Sequence, residues 1–295
     1  MLSVKGLTKV YQQHKAVDHL SFDIKHHQSV ALLGPNGAGK TTTLQMLSGL
    51  LTPTSGQIQF LGRKTVNRSR IGYLPQHPAF FSWMTAEEYL RFAGRLSDLS
   101  RRDVREKSRE VLRYVGLEKC GDRKIAGFSG GMKQRLGLAQ ALVHEPELLI
   151  LDEPVSALDP SGRREVLDLM KDLKKRMTIL FSTHVLHDAE QVCDEIIMLK
   201  NGTARWTGPL SELKTKHQTP SFILSAEESL EGWLEELPYV TGLTLDQPSK
   251  AEFHLSDRAY VCELLAECLR RNVSVLHFEQ KTQSLEEIYM KVMGL

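Results

Sequence analysis

A chain of 295 residues is long enough for one large domain or two unequal ones. Thirty-eight Lys and Arg against 36 Asp and Glu leave a formal charge of +2, too balanced for a surface built around nucleic acid, and 41% hydrophobic residues speak against a disordered or fibrous chain. Cys120, Cys193, Cys262 and Cys268 are scattered without a CxxC pair, which speaks against a zinc site or a disulfide framework and fits a reducing compartment.

The amino-terminal MLSVKGLTKVYQQ lacks the basic-then-apolar order of a signal peptide. No run of about 18 apolar residues appears, so no membrane-spanning helix is expected. Up to residue 33, LSVKGL, LSFDI and SVALL read as strands, the last nearly all apolar like a strand covered on both faces. A glycine-rich stretch follows, and TTTLQMLSGL then reads as a helix. Residues 85–117 are charged and helical in pattern, pointing to an inserted helical subdomain over about 84–145. Basic clusters such as Arg101-Arg102 and Arg270-Arg271 fall in charged helical stretches and read as solvated faces. Strand signals return at 148–151, 178–181 and 196–199, and Asn201-Gly202 marks a hairpin turn before TARWTG.

Past Pro209 the character changes. KTKHQTPS at 214–221 reads as a polar linker, with FILS a strand, ESLEGWLEEL a helix, YVTGLTL and AEFHL strands, RAYVCELLAECLRR a helix and SVLHF a strand. That β-α-β-β-α-β order predicts a small α+β, ferredoxin-like domain over 220–295, closed by the helix SLEEIYMKVM, beside a larger α/β domain over 1–213.

Gly34, Pro35, Asn36, Gly37, Ala38, Gly39, Lys40 and Thr41 fit GxxxxGK[ST] between a strand and a helix. Glycines let backbone N–H groups close around phosphates, and the following helix adds the positive end of its dipole. Lys40 supplies a point charge to the outer phosphates of a triphosphate, the Thr41 hydroxyl can ligate Mg²⁺, and Thr42 continues the loop into the helix. GTPases and nucleotide kinases share this loop, so it defines only a broad class.

Asp152-Glu153-Pro154 follows the apolar run 148–151, which puts two carboxylates at the carboxyl end of a buried strand, where ligands of open α/β sheets bind. Asp152 can hold the magnesium shell, and Glu153 is placed as general base for an attacking water. Ser129, Gly130 and Gly131 open a second helix and make another anion site.

Taken together, these motifs resemble the ATP-binding cassette (ABC) family: the loop 34–41, Gln76 in the Q-loop, the signature FSGGMKQR at 128–135, LLILDEP at 148–154, the D-loop SALD at 156–159 and His184 in the switch, in the family's order. The resemblance spans roughly residues 1–210. It implies a P-loop NTPase cassette with an antiparallel β subdomain and a helical subdomain, working as a head-to-tail dimer, either homodimeric or heterodimeric. By the same resemblance Tyr11 would stack on adenine, Gln76 would sense the metal and the attacking water, and His184 would contact the γ-phosphate. Ser129, Gly130 and Gly131 would bind the partner's ATP, and Asp159 would communicate across the interface. The signature carries Phe128 and Met132 where the family most often has Leu and Gln, and a methionine lacks an amide's hydrogen bonds.

The resemblance also implies a separate integral membrane permease, a location on the cytoplasmic face of the cell membrane, and export. Phe80, Phe81 and Trp83 in HPAFFSW fall just after the Q-loop, where family members dock that partner. A soluble ABC ATPase acting on nucleic acid or ribosomes is the alternative; it would bring a coiled-coil insertion or a second cassette, and neither is present in the sequence. No NKxD motif supports a GTPase.

Overall fold

The computed structural model describes residues 1–156, 158–217, 221–281 and 284–294. The chain opens with β1 (Leu2–Tyr11) and β2 (His14–Ile24), an antiparallel pair, then enters β3 (Ser29–Leu33), all five of whose residues are buried. The 34–39 turn leads into α1 (Lys40–Leu47), and β4 (Ser55–Phe60) returns to pair with β1, completing a three-stranded antiparallel sheet in the order β2-β1-β4.

A short strand, β5 (Ile71–Leu74), precedes three helices, α2 (Ala86–Leu96), α3 (Arg101–Tyr114) and α4 (Gly130–Leu142). A reciprocal cap fixes the start of α2. The Thr85 hydroxyl accepts the Glu88 N–H at 3.2 Å, and the Glu88 carboxylate accepts the Thr85 N–H at 2.8 Å. These bonds from Thr85, its backbone N–H foremost, hold the Glu88 carboxyl below its usual range. On α3, Val104, Ser108 and Leu112 recur every fourth residue as the buried stripe, as an amphipathic helix requires.

Next come β6 (Leu148–Asp152), α5 (Pro160–Leu173), β7 (Thr178–Thr183), α6 (Leu186–Val192), β8 (Glu195–Lys200), β9 (Thr203–Pro209) and α7 (Leu210–His217). The second sheet runs β5-β6-β7-β3-β8-β9, parallel except for β9, which returns through the Asn201-Gly202 turn. Strands β3, β6 and β7 are buried along their whole length, which is why they read as unbroken apolar runs. Leu44, Leu47, Leu148, Ile150 and Leu180 belong to the core under α1, and that core holds the phosphate-loop turn in place.

Two compact units divide the chain, Met1–Leu210 and Ser211–Leu295. The second contains β10 (Ser221–Ala226), β11 (Val240–Gln247), β12 (Lys250–Leu255), α8 (Tyr260–Arg270), β13 (Val275–Lys281) and α9 (Leu285–Met293). Its antiparallel sheet has the order β11-β12-β10-β13 over a core that includes Phe222, Phe253 and Leu264. Two expectations are corrected in this unit. The segment ESLEGWLEEL forms turns, not a helix, so the first helix of the ferredoxin-like pattern is absent and that pattern is not confirmed. Its Gly232 takes φ +82°, outside any right-handed helix, while Leu230 and Leu234 are still buried. Of the expected linker, residues 214–217 belong to α7 and residues 218–220 lie outside the described residues.

Candidate functional site

The 34–41 turn leaves β3 at its carboxyl end and enters α1 through Gly39, whose φ of +100° is left-handed. An added Cβ there would run into the Ala16 carbonyl, so the position admits only glycine. No side chain caps the start of α1 and its first turn holds no acid, which leaves the N–H groups of that turn open to an anion. Lys40 is buried and folds back over the loop, its Nζ donating to the Gly34 carbonyl at 2.7 Å and the Pro35 carbonyl at 3.3 Å. Thr41 is exposed and Thr42 half-buried, both on the first turn of α1.

At the end of β6, Asp152 and Glu153 are both buried. The Lys40 ammonium stands 3.5 Å from Glu153 Oε1, and Glu153 Oε2 is 2.8 Å from His184 Nδ1. Glu153 carries φ +49°, a strained conformation for a non-glycine residue and of the kind that collects at functional sites. The sheet register sets Asp152 opposite Ser182 on β7. Ser182 was not anticipated from the sequence, and it organises the pair: its hydroxyl donates to Asp152 Oδ1 at 2.6 Å and accepts the Glu153 N–H at 2.9 Å. Half-buried Tyr73 on β5 is pushed up to about 12 by burial, with the negative charge of Asp152 adding to the shift.

The remaining expected residues are spread around this cluster. Gln76 lies exposed beyond the end of β5. Tyr11 is 45% exposed at the tip of the β1–β2 hairpin, with the Lys9 ammonium 5.2 Å from its ring centre. Ser129 caps α4 by accepting the Met132 N–H at 3.3 Å, and with Gly130 it is exposed; Gly131 is half-buried. Asp159 caps α5, its carboxylate accepting the Gly162 N–H at 2.9 Å, while Ala157 of the D-loop stretch lies outside the described residues. Buried Gln134 ties α4 to the carboxylate strand by donating to the Pro154 carbonyl at 2.8 Å, a second link the sequence did not disclose. Among the described residues no hydrogen bond or ion pair joins the start of α4 to the phosphate loop. Phe80 turns onto Tyr89 with ring centres 5.1 Å apart, whereas Phe81 and Trp83 are 47% and 69% exposed.

A glycine loop with open N–H donors, a lysine reaching into it and a carboxylate held between that lysine and a histidine define a nucleoside-triphosphate hydrolase. Comparison with known proteins gives its family. Residues 17–156 match the ABC transporter family, and residues 208–293 match the C-terminal domain of DrrA1-3-like ATP-binding proteins. The chain is 60% identical over 292 residues to the ABC transporter ATP-binding protein YxlF of Bacillus subtilis, covering 99% of each. It is 33% identical to the linearmycin resistance ATP-binding protein LnrL of B. subtilis, covering 100% of this chain and 98% of LnrL. The bacitracin transport ATP-binding protein BcrA of Bacillus licheniformis is 35% identical, over 100% and 97%. Among solved structures, the dimeric post-hydrolysis state of the ATP-binding cassette MJ0796 bound to ADP and Pi aligns with TM-score 0.66 and 27% identity, over 71% of this chain and 99% of that one. CbiO1 from Clostridium perfringens, part of the ABC transporter complex cbiONQ, aligns with TM-score 0.66 and 30% identity, over 73% and 90%. The chain belongs to the ABC transporter family. Within it, the chain is an ATP-binding, ATP-hydrolysing subunit, and the nucleic-acid alternative finds no support among these relatives.

Proposed function

We propose that two copies of this chain close head to tail around ATP, each supplying the phosphate loop to one nucleotide and the start of α4 to the other. The observation that carries this reading is Glu153, buried between Lys40 and His184 at the end of β6. Lys40 and the open N–H groups at 39–42 bind the phosphates, and Tyr11 offers an exposed ring to the base. Glu153 accepts a proton from the attacking water, and His184, bonded to the same carboxylate, orients it and reaches the γ-phosphate. Ser129, Gly130 and Gly131 face the second copy's nucleotide, and Asp159 stands at the same interface.

The donor set fits Mg²⁺. Of the two buried carboxylates only Glu153 meets the Lys40 ammonium, and Ser182 occupies only one oxygen of Asp152. Thr41, Asp152 and Gln76 would hold the ion, which when bound neutralises charge on the β- and γ-phosphates.

The nucleotide-binding domain extends over 1–213 with its helical subdomain at about 84–145, and an accessory domain occupies 220–295. No described helix is long and apolar enough to cross a membrane, so a separate integral membrane permease is the driven partner and the chain stands peripherally on its cytoplasmic face. The linearmycin-resistance and bacitracin-transport relatives favour export. Exposed Phe81 and Trp83, ring centres 5.9 Å apart, are the docking residues for the permease, while Phe80 serves the subdomain's interior.

The decisive experiment is Glu153→Gln. Removing a general base lowers turnover by about 10²–10⁴-fold, and with ATP and Mg²⁺ the variant accumulates as a nucleotide-bound dimer in size-exclusion chromatography. Hydrolysis near the wild-type rate, or a variant that stays monomeric, would sink the assignment.

A further inference from the structure

Helices α2 and α3 carry an arginine surface that the ATPase reading leaves unused. Glu87, Arg91 and Arg95 recur every fourth residue on α2; Arg101, Arg105 and Arg109 do so on α3, and all five arginines are exposed. The two rows run side by side, because Glu87 Oε1 receives both Arg91 Nη1 at 4.0 Å and Arg109 Nε at 3.5 Å. That carboxylate is the acid the rows share. Among the described residues Arg95, Arg101 and Arg105 make no ion pair.

This arrangement opposes helix stability twice. Like charges four residues apart repel along a helix, and Arg101 with Arg102 occupies the first turn of α3, where the dipole favours acids. Ser100 and Asp103 offset part of the second effect at the same helix start. Glu106 and Glu110 line the same shallow surface as the α3 row together with Arg102 and Arg113, so that surface carries five arginines against two acids, whereas a face needed only for solubility would balance its signs.

We propose that these paired rows dock on the phosphate headgroups of an anionic membrane surface, a proposal that rests on the peripheral placement given above. Every cation on the face is an arginine, whose planar fork matches phosphate oxygens in a way a lysine does not. The α3 row from Arg101 to Arg109 extends about 12 Å along its axis, enough to meet several headgroups at once. Beside the α2 row, Leu96 is 71% exposed, while Phe92, 41% exposed, packs its ring edge-on against Phe81 with centres 5.6 Å apart. Arginine bordered by such residues is the composition of an interfacial surface, which takes guanidinium at the phosphates and apolar side chains at the acyl boundary. An acidic protein segment would leave the Leu96 side chain without an apolar partner.

The test is flotation of the full chain, without permease, on vesicles of phosphatidylcholine alone and of phosphatidylcholine mixed with phosphatidylglycerol. Binding is expected only to the mixed vesicles, weakening as salt is raised. Each arginine replaced by glutamine lowers that binding about fivefold, so Arg95→Gln, Arg101→Gln and Arg105→Gln together abolish it while ATP hydrolysis in solution is unchanged. Equal partition of the wild-type chain to both vesicles overturns the proposal without needing any variant. So does a triple variant that floats like wild type, or one that loses only permease association, which would make the surface a reader of acidic protein. Failure of Phe81 and Trp83 variants to disturb permease association would count against the docking reading alone, since vesicle binding is measured without the permease.

Discussion

Helices α1 and α4 both carry a glycine at their start, Gly39 just before the first residue of α1 and Gly130 as the first residue of α4, yet their first turns are left in different states. At α1 the capping position is Gly39 in a left-handed conformation, no side chain covers the N–H groups, and Lys40 stands over them. At α4 the capping position is Ser129 in an extended conformation, and its hydroxyl already takes the Met132 N–H. The first start is an anion site finished within one chain. The second rests on its own cap, with the first-turn Lys133 exposed and not folded back over it, and in the proposed dimer it would be completed by the other copy's nucleotide.

The largest effect that could break this contrast is on affinity. Lys40→Ala removes a charge-assisted contact of about 1.5–3 kcal/mol and should weaken ATP binding by roughly 10–100-fold in nucleotide titration, whereas Ser129→Ala should leave binding to the single chain unchanged and cut turnover. Equal affinity losses in both variants would erase the distinction. Stability sharpens it next. Gly39→Ala drives a Cβ onto the Ala16 carbonyl at a left-handed φ and should cost about 1–3 kcal/mol in denaturant unfolding. A Cβ at Gly131 would stand 3.6 Å from Leu158 Cδ2, an ordinary contact. Gly131→Ala should therefore stabilise the chain by about 0.5 kcal/mol while still lowering turnover, because in the proposed dimer the added methyl would crowd the second copy's phosphate. The smallest effect is a control on both glycine variants. Cys193 is buried, and burial, with Asp194 adding, pushes its thiol up to about 12. It should resist alkylation at neutral pH while exposed Cys262 reacts. Alkylation of Cys193 in either variant would mean the unit had opened, not that one helix start had been retuned.

The parts legible in the sequence are those where a single local rule decides the outcome. Buried β3, β6 and β7 read as apolar runs, and the glycine loop reads from its spacing. Strand β4 escaped notice because SGQIQF buries only Ile58 and Phe60, and β5 because it is four residues long with a glycine at its second position. In the second unit ESLEGWLEEL showed a helical spacing of Leu230, Trp233, Leu234 and Leu237 that reports burial but not helix, since Gly232 turns the backbone away. Within the site, Lys40, Asp152, Glu153 and His184 stood out by motif. Ser182 and Gln134 did not, because what each does depends on a partner about 20 to 30 residues away that only the sheet register and the α4 packing bring close.

Gly72 on β5 has a mechanical consequence. A side chain there would strike the Ala141 carbonyl, so strand and helix touch backbone to backbone at that point. Two main chains in such contact have no soft side-chain layer to absorb a displacement, and α4 cannot tilt without dragging the strand that leads to Gln76. Whatever pulls on the serine-led tip of α4 therefore moves the glutamine segment as well, making the pair one lever with its fulcrum at a residue that has no side chain.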